Sequence, residues 1–419
     1  MSSSLNSLNT LISVFQHDEE KTAPVPYDAA DIETNIVYSR DTGQRFVVDM
    51  NKMKFVISNI SVKHKVLNAR TTNPQCTLQT HGFQLLSSQH TKLSTNDFYT
   101  NPHDIIATRY YSEIECAVQR LLGAQHVVAT SHQVRCAETE KAPKSATVDV
   151  QPAAHAAHCD YSAFGGFQMY QAALRKLKAS KRVKDKQELE RFTAGRFALI
   201  NAWRNISDTQ PIYDDHLAVC DGRSVVAPDD FLKYDYLAAG VKAEAYYLSH
   251  QHQQLHQWYY YPRMRKDELL LFMQYDSDYR AQSRYGFHSA VKDPTAKSGC
   301  PPRQSIELRL VAFFPNHEPN TIPEYKPAAF SVDAAVDGLM NAVKSAQYWP
   351  QDAKQSMAEK IRNAEIKEVI TWLVEGSRSG GYHGLSDASE QQIEMVIAAL
   401  MQKKDEFKAA AMKNFPLSK

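Results

Sequence analysis

From about residue 191 to residue 315 the chain spells one extended run after another, and that repetition limits the fold more than any other feature. RFTAGRFALINAWRNI (191–206) gives a strand in which Phe197, Leu199, Asn201 and Trp203 share one side and Ala198, Ile200, Ala202 and Arg204 the other. AEAYYLSHQHQQLHQWYYYP (243–262) reads as two strands around a Gln/His-rich turn, ELLLFMQYDSD (268–278) as another and SIELRLVAFFP (305–315) as a fourth. Shorter runs, FVVDM (46–50) and KFVISNISV (54–62), precede a helix at YYSEIECAVQRLLGA (110–124), where Ile114, Val118, Leu121 and Leu122 recur at helical spacing. Many strands with only local helices between them argue for a mostly β barrel or sandwich.

After about residue 330 the period changes. AAVDGLMNAVKSA (334–346), AEKIRNAEIKEVITWLVEG (358–376) and SEQQIEMVIAALMQKKDEF (389–407) are helical, the last opening on an Asp387/Glu390 capping-box pattern. The first 35 residues, Ser/Asn-rich and then acidic, read as a flexible arm. The expected organisation is therefore an arm over 1–35, a β unit over 36–330 and an α-helical extension over 331–419. The stripe Ile393, Val396, Ile397, Leu400, Met401 needs a partner, and packing on the β unit with a contribution to a homodimer is expected.

Composition narrows the function. Lys plus Arg number 48 against 47 Asp plus Glu, a net charge of +1 that gives no electrostatic reason to expect nucleic acid or an anionic membrane. Six cysteines without a C-x-x-C pair fit a reducing compartment, and the apolar runs are too short to span a bilayer. The N-terminal MSSSLNSLNTLISVF lacks the cationic start and long apolar stretch of a leader. A soluble cytoplasmic protein is expected.

The chemistry is carried by HAAHCDYSAFGG (155–166). His158-Cys159-Asp160 is H-x-D, two members of a facial triad of two histidines and one carboxylate, which suits non-haem Fe(II) because it leaves coordination positions open. Alone the pattern is weak, and His17-Asp18-Glu19 is a comparable coincidence. A third ligand well downstream is supplied by His288 in YGFHSAVKDP. A 2-oxoglutarate cosubstrate chelating such an iron would need a cation for its far carboxylate, and PPRQSIELRL offers Arg303 with Ser305 on the same strand face. Glu307 and Arg309 share that face, while Ile306, Leu308 and Leu310 take the other. H-x-D, a distal histidine and R-x-S in this order are far more specific together than apart.

The same residues carry a family resemblance. TLQTHGF (77–83), DFYT (97–100), YYSEIECAVQRLLGAQHVV (110–128), HCDYS (158–162), NAWRNI (201–206), PIYDDHLAVCDGRSV (211–225), QWYYYPRMRKDELLLFMQYDSD (257–278) and PPRQSIELRL (301–310) resemble the fungal hydroxylase/desaturase family of specialised metabolism, the AsaB/CmcJ-like group described as cephalosporin 7-alpha-methoxylase-like or gibberellin-desaturase-like. The resemblance covers roughly residues 70–315. It implies a double-stranded β-helix (jelly-roll) core and Fe(II)/2-oxoglutarate chemistry with O2. Carried over residue by residue, it makes His158, Asp160 and His288 the metal and catalytic ligands, with Arg303 and Ser305 for the cosubstrate. After NAWRN the chain reads ISDTQPIYDDH, where the family has a tighter turn.

Other polar residues have plainer readings. His155 is expected to be a loop histidine or a donor behind the ligands, and Cys159 a packing residue pointing away from the metal. His250, His252 and His256 fall in SHQHQQLHQ with no carboxylate between them and read as a polar hairpin turn. In WYYYPR one of the pairs Trp258/Tyr260 and Tyr259/Tyr261 should be plain core, the other a candidate stacking platform. Arg204 is expected to pair with a carboxylate such as Asp221, and GSRSGGYHG (376–384) to be a helix cap and loop. The function expected is C–H oxidation of a small molecule: hydroxylation, desaturation or oxidative cyclisation. A 2-oxoglutarate-independent iron oxidase is the nearest rival, and Arg303 with Ser305 argues against it. A methyltransferase is a more distant one, lacking a glycine-rich strand-to-helix loop in this chain.

Overall fold

The computed structural model describes residues 30–49, 54–180, 182–183, 186–238, 241–314, 331–344, 351–380, 385 and 388–415. In chain order its strands are β1 (Ile32–Ser39), β2 (Phe46–Asp49), β3 (Lys54–Val56), β4 (Asn59–Asn68), β5 (Phe83–Leu86), β6 (His126–Cys136), β7 (Val150–Gln151) and β8 (His158–Cys159). There follow β9 (Arg196–Asn205), β10 (His216–Cys220), β11 (Phe231–Ala238), β12 (Val241–Leu248), β13 (Trp258–Tyr260), β14 (Leu269–Asp276), β15 (His288–Val291) and β16 (Gln304–Phe314). One sheet runs β1-β4-β13-β10-β15-β8-β12-β11-β2-β3 and the other β5-β14-β9-β16-β6-β7. From β14 to β16 the chain steps to the opposite sheet with each strand, which is how a jelly roll is wound. The expected jelly-roll core is present.

Strand β14, LLLFMQYD, is buried at every position because it is covered on both faces. Its inward Leu270 and Phe272 meet Trp203, Val219 and Tyr259 between the sheets. Leu269, Leu271 and Met273 face outward with Ile200, Ala202, Leu308 and Leu310, under Ile114 and Val118 of the helix Tyr111–Leu122. The alternation read from the sequence for β9 and β16 therefore separates an interior face from a helix-covered one.

Several expectations change. Residues 32–35, placed in the arm, begin β1, whose Ile32 and Ile36 are buried while Glu33 and Asn35 are exposed, so the strand is held by an alternating apolar face; the rest of the arm, 1–29, lies outside the described residues. Strands β12 and β13 do not form a hairpin, because β10, β15 and β8 lie between them in the sheet. RFTA (191–194) ends a helix, Lys186–Ala194, instead of opening a strand. The run after HCDYS is a helix, Ala163–Ala179, capped by Ser162 accepting from the Gly165 amide at 3.1 Å. Its two glycines are packing positions: a Cβ on Gly165 would sit 2.2 Å from the Glu244 carbonyl oxygen, and one on Gly166 3.0 Å from the Tyr275 ring.

The C-terminal helices Val332–Lys344, Gln351–Asn363, Ile366–Gly380, Glu390–Gln402 and Lys404–Asn414 share a core of their own. Ile393, Val396 and Leu400 are buried there against Leu339, Val343, Ile370, Val374 and Phe407. The stripe expected on the jelly roll or a second copy is thus covered by neighbouring helices of the same segment. The capping box is Ser389/Gln392, with Ser389 Oγ accepting from the Gln392 amide at 3.2 Å and Gln392 Oε1 from the Ser389 amide at 2.8 Å. Asp387 lies outside the described residues, and Gly376–Gly380 continues a helix, with 381–384 of the expected loop also undescribed.

Candidate active site

Strand β8 is only two residues long, and its brevity places the chemistry. His158 sits in register between His288 of β15 and Tyr247 of β12, with the two histidine rings 4.3 Å apart between centroids. Cys159 turns the opposite way into an apolar cluster with Tyr246 and Leu248, as expected of a strand neighbour. The chain then leaves the sheet, and the Asp160 amide donates to Gln274 Oε1 at 2.7 Å. This swings the Asp160 carboxylate beneath both imidazoles. Its Oδ1 lies 3.4 Å from His158 Nε2 and 4.0 Å from His288 Nε2, and the three groups offer ligand atoms all within 4.8 Å of one another.

The donors are in the right protonation state for a cation. His158 Nδ1 lies 2.7 Å from the Ala156 carbonyl oxygen, which can only accept, so the proton is on Nδ1 and the Nε2 lone pair faces inward. Burial, reinforced by the neighbouring His158, depresses the His288 pKa to about 3 and keeps that ring neutral. Burial alone would raise the Asp160 pKa, but the Arg309 guanidinium beside it holds it well below the ordinary carboxylate range. Asp160 Oδ2 accepts from Asn201 Nδ2 and from Arg309 Nε, each at 2.9 Å, so that oxygen is committed and Oδ1 remains. Two imidazoles and one carboxylate oxygen around an open position suit a divalent first-row metal.

Beside the triad, the inner face of β16 presents Arg303, Ser305, Glu307 and Arg309. Arg303 is buried against Trp203, with its guanidinium carbon 5.6 Å from the ring centroid, and Nη1 donates to the Asp215 carbonyl at 2.5 Å. Burial lowers its pKa to about 10, which still leaves it charged at neutral pH. Arg303 Nε and Ser305 Oγ are buried with no partner. Orphaned buried groups cost about 1–3 kcal/mol each, and a carboxylate bound across both would relieve that cost. His158, His288, Trp203, Arg303 and Glu307 line one pocket, so two of the three metal donors share a space with the arginine.

The structure brings His158, Asp160 and His288 together, sets Arg303 in one pocket with the two histidines and buries Ser305 nearby on the strand that follows it, while other candidates lie elsewhere. His155 stays behind the site, with Nδ1 3.0 Å from the Ala290 carbonyl oxygen. His252 and His256 both bind Asp230, a carboxylate distant in sequence, at 2.9 Å each. Both aromatic pairs of WYYYPR are core, Trp258 and Tyr260 in one cluster and Tyr259 and Tyr261 in another. Arg204 lies on the outer face of β9, its guanidinium 5.5 Å from the Tyr110 ring centroid, and Asp221 is taken by Arg223 at 2.6 Å. The sequence did not announce Asn201, Gln274 and Arg309 as supports of Asp160. The available signal was a polar residue inside otherwise apolar strands, NAWRN and LLLFMQYD.

A jelly roll with two histidines and a carboxylate converging on its interior is the framework of a metal-dependent oxidoreductase. The family model described as "YDMC: Oxidoreductase/YMDC permease-like domain" matches residues 28–313, and the chain belongs to that family. No helix among the described residues is long and apolar enough to cross a membrane. The chain is 29% identical over 252 residues to "Fe(II)/2-oxoglutarate-dependent dioxygenase nvfI" of Aspergillus novofumigatus, covering 60% of this chain and 83% of that one. It is 28% identical over 269 residues to "Alpha-ketoglutarate-dependent dioxygenase tstK" of Talaromyces stipitatus, covering 63% and 89%. Over 138 residues it is 33% identical to "Hydroxylase/desaturase asaB" of Aspergillus flavus, covering 30% and 60%. Among solved structures, the "iron and alpha-ketoglutarate-dependent endoperoxidase NvfI" superposes with a TM-score of 0.53 at 23% identity, over 68% of this chain and 98% of that one. These relatives agree with the motif resemblance.

Proposed function

We propose that the chain is an Fe(II)/2-oxoglutarate-dependent oxygenase that oxidises a C–H bond of a small molecule in specialised metabolism. The observation that carries this reading is that His158 and His288, which converge with Asp160, line one pocket with Arg303, whose buried Nε has no partner. His158, Asp160 and His288 would hold the iron, and Arg303 with Ser305 the far carboxylate of 2-oxoglutarate. Loaded with both and supplied with O2, the centre provides an oxidant strong enough to remove hydrogen from an unactivated carbon.

The protein's own contribution is positional. Asn201 and Arg309 fix Asp160 Oδ2, so that the carboxylate presents a single oxygen beside the two Nε2 atoms. Trp203 forms a wall behind Arg303 and would shield an ion pair there with the cosubstrate carboxylate from water. Hydroxylation, desaturation and ring closure then differ only in how the substrate is held. The oxygenase unit would span 32–330, followed by the helical extension 331–419, in the cytoplasm, where six free thiols persist. Incubation with Fe(II), 2-oxoglutarate and O2 should release succinate, and a metal chelator should stop it. Protein that binds iron yet forms no succinate with or without candidate substrates would contradict the reading.

A further inference from the structure

Among the polar groups of the pocket that the proposed chemistry does not use is a second arginine. Arg135 of β6 stands directly opposite Ser305 in the β6–β16 register and lines the same pocket as His158, His288 and Arg303. Its Nη1 donates to the Pro152 carbonyl oxygen at 2.9 Å, and it forms no ion pair among the described residues. Arg303 is only 3% exposed, whereas Arg135 is half-buried.

The charges around the centre identify what Arg135 is for. Asp160 and Glu307 are matched by Arg309, which contacts Asp160 at 2.9 Å and Glu307 at 3.5 Å, together with Arg303. Asp215, next to Arg303, shares Lys292 with Asp214, at 2.7 and 3.1 Å respectively. Ferrous iron and the 2-oxoglutarate dianion cancel each other. Arg135 has no carboxylate partner of its own among the described residues, and its charge lies within electrostatic reach of Arg303, Glu307 and His288. A guanidinium in a confined, partly dry pocket is costly without a counterion and presents a fork that matches a carboxylate.

We infer that Arg135 is a specificity-determining residue that binds a carboxylate of the substrate, so that the enzyme selects monoanionic small molecules. The inference rests on the iron/2-oxoglutarate reading above. To test it, Fe(II) protein is first titrated anaerobically with 2-oxoglutarate while the metal-to-ligand charge-transfer band is followed, for the parent, Arg135→Gln and Arg303→Gln. Benzoate and decanoate, each against its primary amide, are then titrated into the iron–2-oxoglutarate complex by calorimetry, with thermal melts to verify folding.

The parent should bind the acids about 10- to 100-fold more tightly than the amides, as a charge-assisted pair requires. Arg135→Gln should erase that preference while keeping 2-oxoglutarate affinity within about threefold, as for a group outside the clamp. Acids binding no better than amides, or a preference surviving in Arg135→Gln, would overturn the inference. So would a loss of 2-oxoglutarate affinity in Arg135→Gln as large as in Arg303→Gln, which would place Arg135 in the cosubstrate clamp. Absence of the band in the parent is a separate result, and it would strike at the iron/2-oxoglutarate reading itself.

Discussion

The large sheet contains two clusters built from histidine and aspartate, and they have opposite characters. Around Asp230 each carboxylate oxygen is saturated: Oδ1 faces His252 Nδ1 and Oδ2 faces His256 Nε2, both at 2.9 Å. Tyr38 extends that network, its hydroxyl lying 3.2 Å from His256 Nδ1 and accepting from Trp258 Nε1 at 2.8 Å. Around Asp160 the two Nε2 atoms point at one oxygen from 3.4 and 4.0 Å, too far for a good hydrogen bond to the second. The first cluster is closed and structural. The second is held open from behind by Asn201, Arg309 and Gln274. The same residue types become a staple or a metal centre according to whether their acceptors are satisfied by one another.

The strongest way to break this comparison is isosteric. Asp160→Asn, His158→Ala and His288→Ala should each abolish turnover and iron binding while the protein still melts cooperatively, since open metal sites contribute less to folding than closed ones. Metal analysis beside calorimetry checks this. An Asp160→Asn protein retaining one iron per chain and full activity would remove the distinction. Next in size, Arg303→Ala should raise the 2-oxoglutarate requirement by about 10²-fold, because breaking a buried charge pair costs about 2–5 kcal/mol. Arg309→Ala should instead weaken iron by about 10- to 100-fold, as its hydrogen bond goes to Asp160. Reversal of these two effects would exchange the roles of the two arginines.

At the closed cluster, Asp230→Asn should lower folding stability by about 1.5–3 kcal/mol, the worth of charged hydrogen bonds, and leave iron affinity unchanged. Urea denaturation with a parallel iron titration would show it. A further effect is with pH. His256 and His288 both have folded pKa values below the ordinary 6.5, through burial first, so the unfolded chain takes up their protons sooner. Metal-free protein should therefore hold its full stability above pH 6.5 and lose about 1.4 kcal/mol per pH unit for each such histidine as pH falls below it, for His288 down to about 3. A melting temperature flat from pH 7 to pH 5 would mean that neither ring is buried neutral.

What could be read in advance was local. The H-x-D spacing, the face shared by Arg303, Ser305, Glu307 and Arg309, and the two sides of β9 all follow from strand periodicity. What escaped was fixed by pairing between distant strands. Arg309 reaches Asp160, and His256 reaches Asp230, only through the register of the folded sheets. The winding that separates β12 from β13 likewise defeats a hairpin reading, since sequential strands usually pair. The helix Ala163–Ala179 escaped because Gly165 and Gly166 look like loop residues, whereas their bare Cα atoms let the helix start rest on β12 and β14.

The central claim is that His158, Asp160 and His288 converge beside Arg303 in order to hold iron and 2-oxoglutarate together. Its most direct test is anaerobic addition of Fe(II) and then 2-oxoglutarate to the purified protein, followed by visible absorption. The account predicts a metal-to-ligand charge-transfer band that saturates at one equivalent of each, vanishes in Asp160→Asn and needs far more 2-oxoglutarate in Arg303→Ala. A protein that binds iron tightly but develops no band at any 2-oxoglutarate concentration, or an equal band in Asp160→Asn, would contradict it.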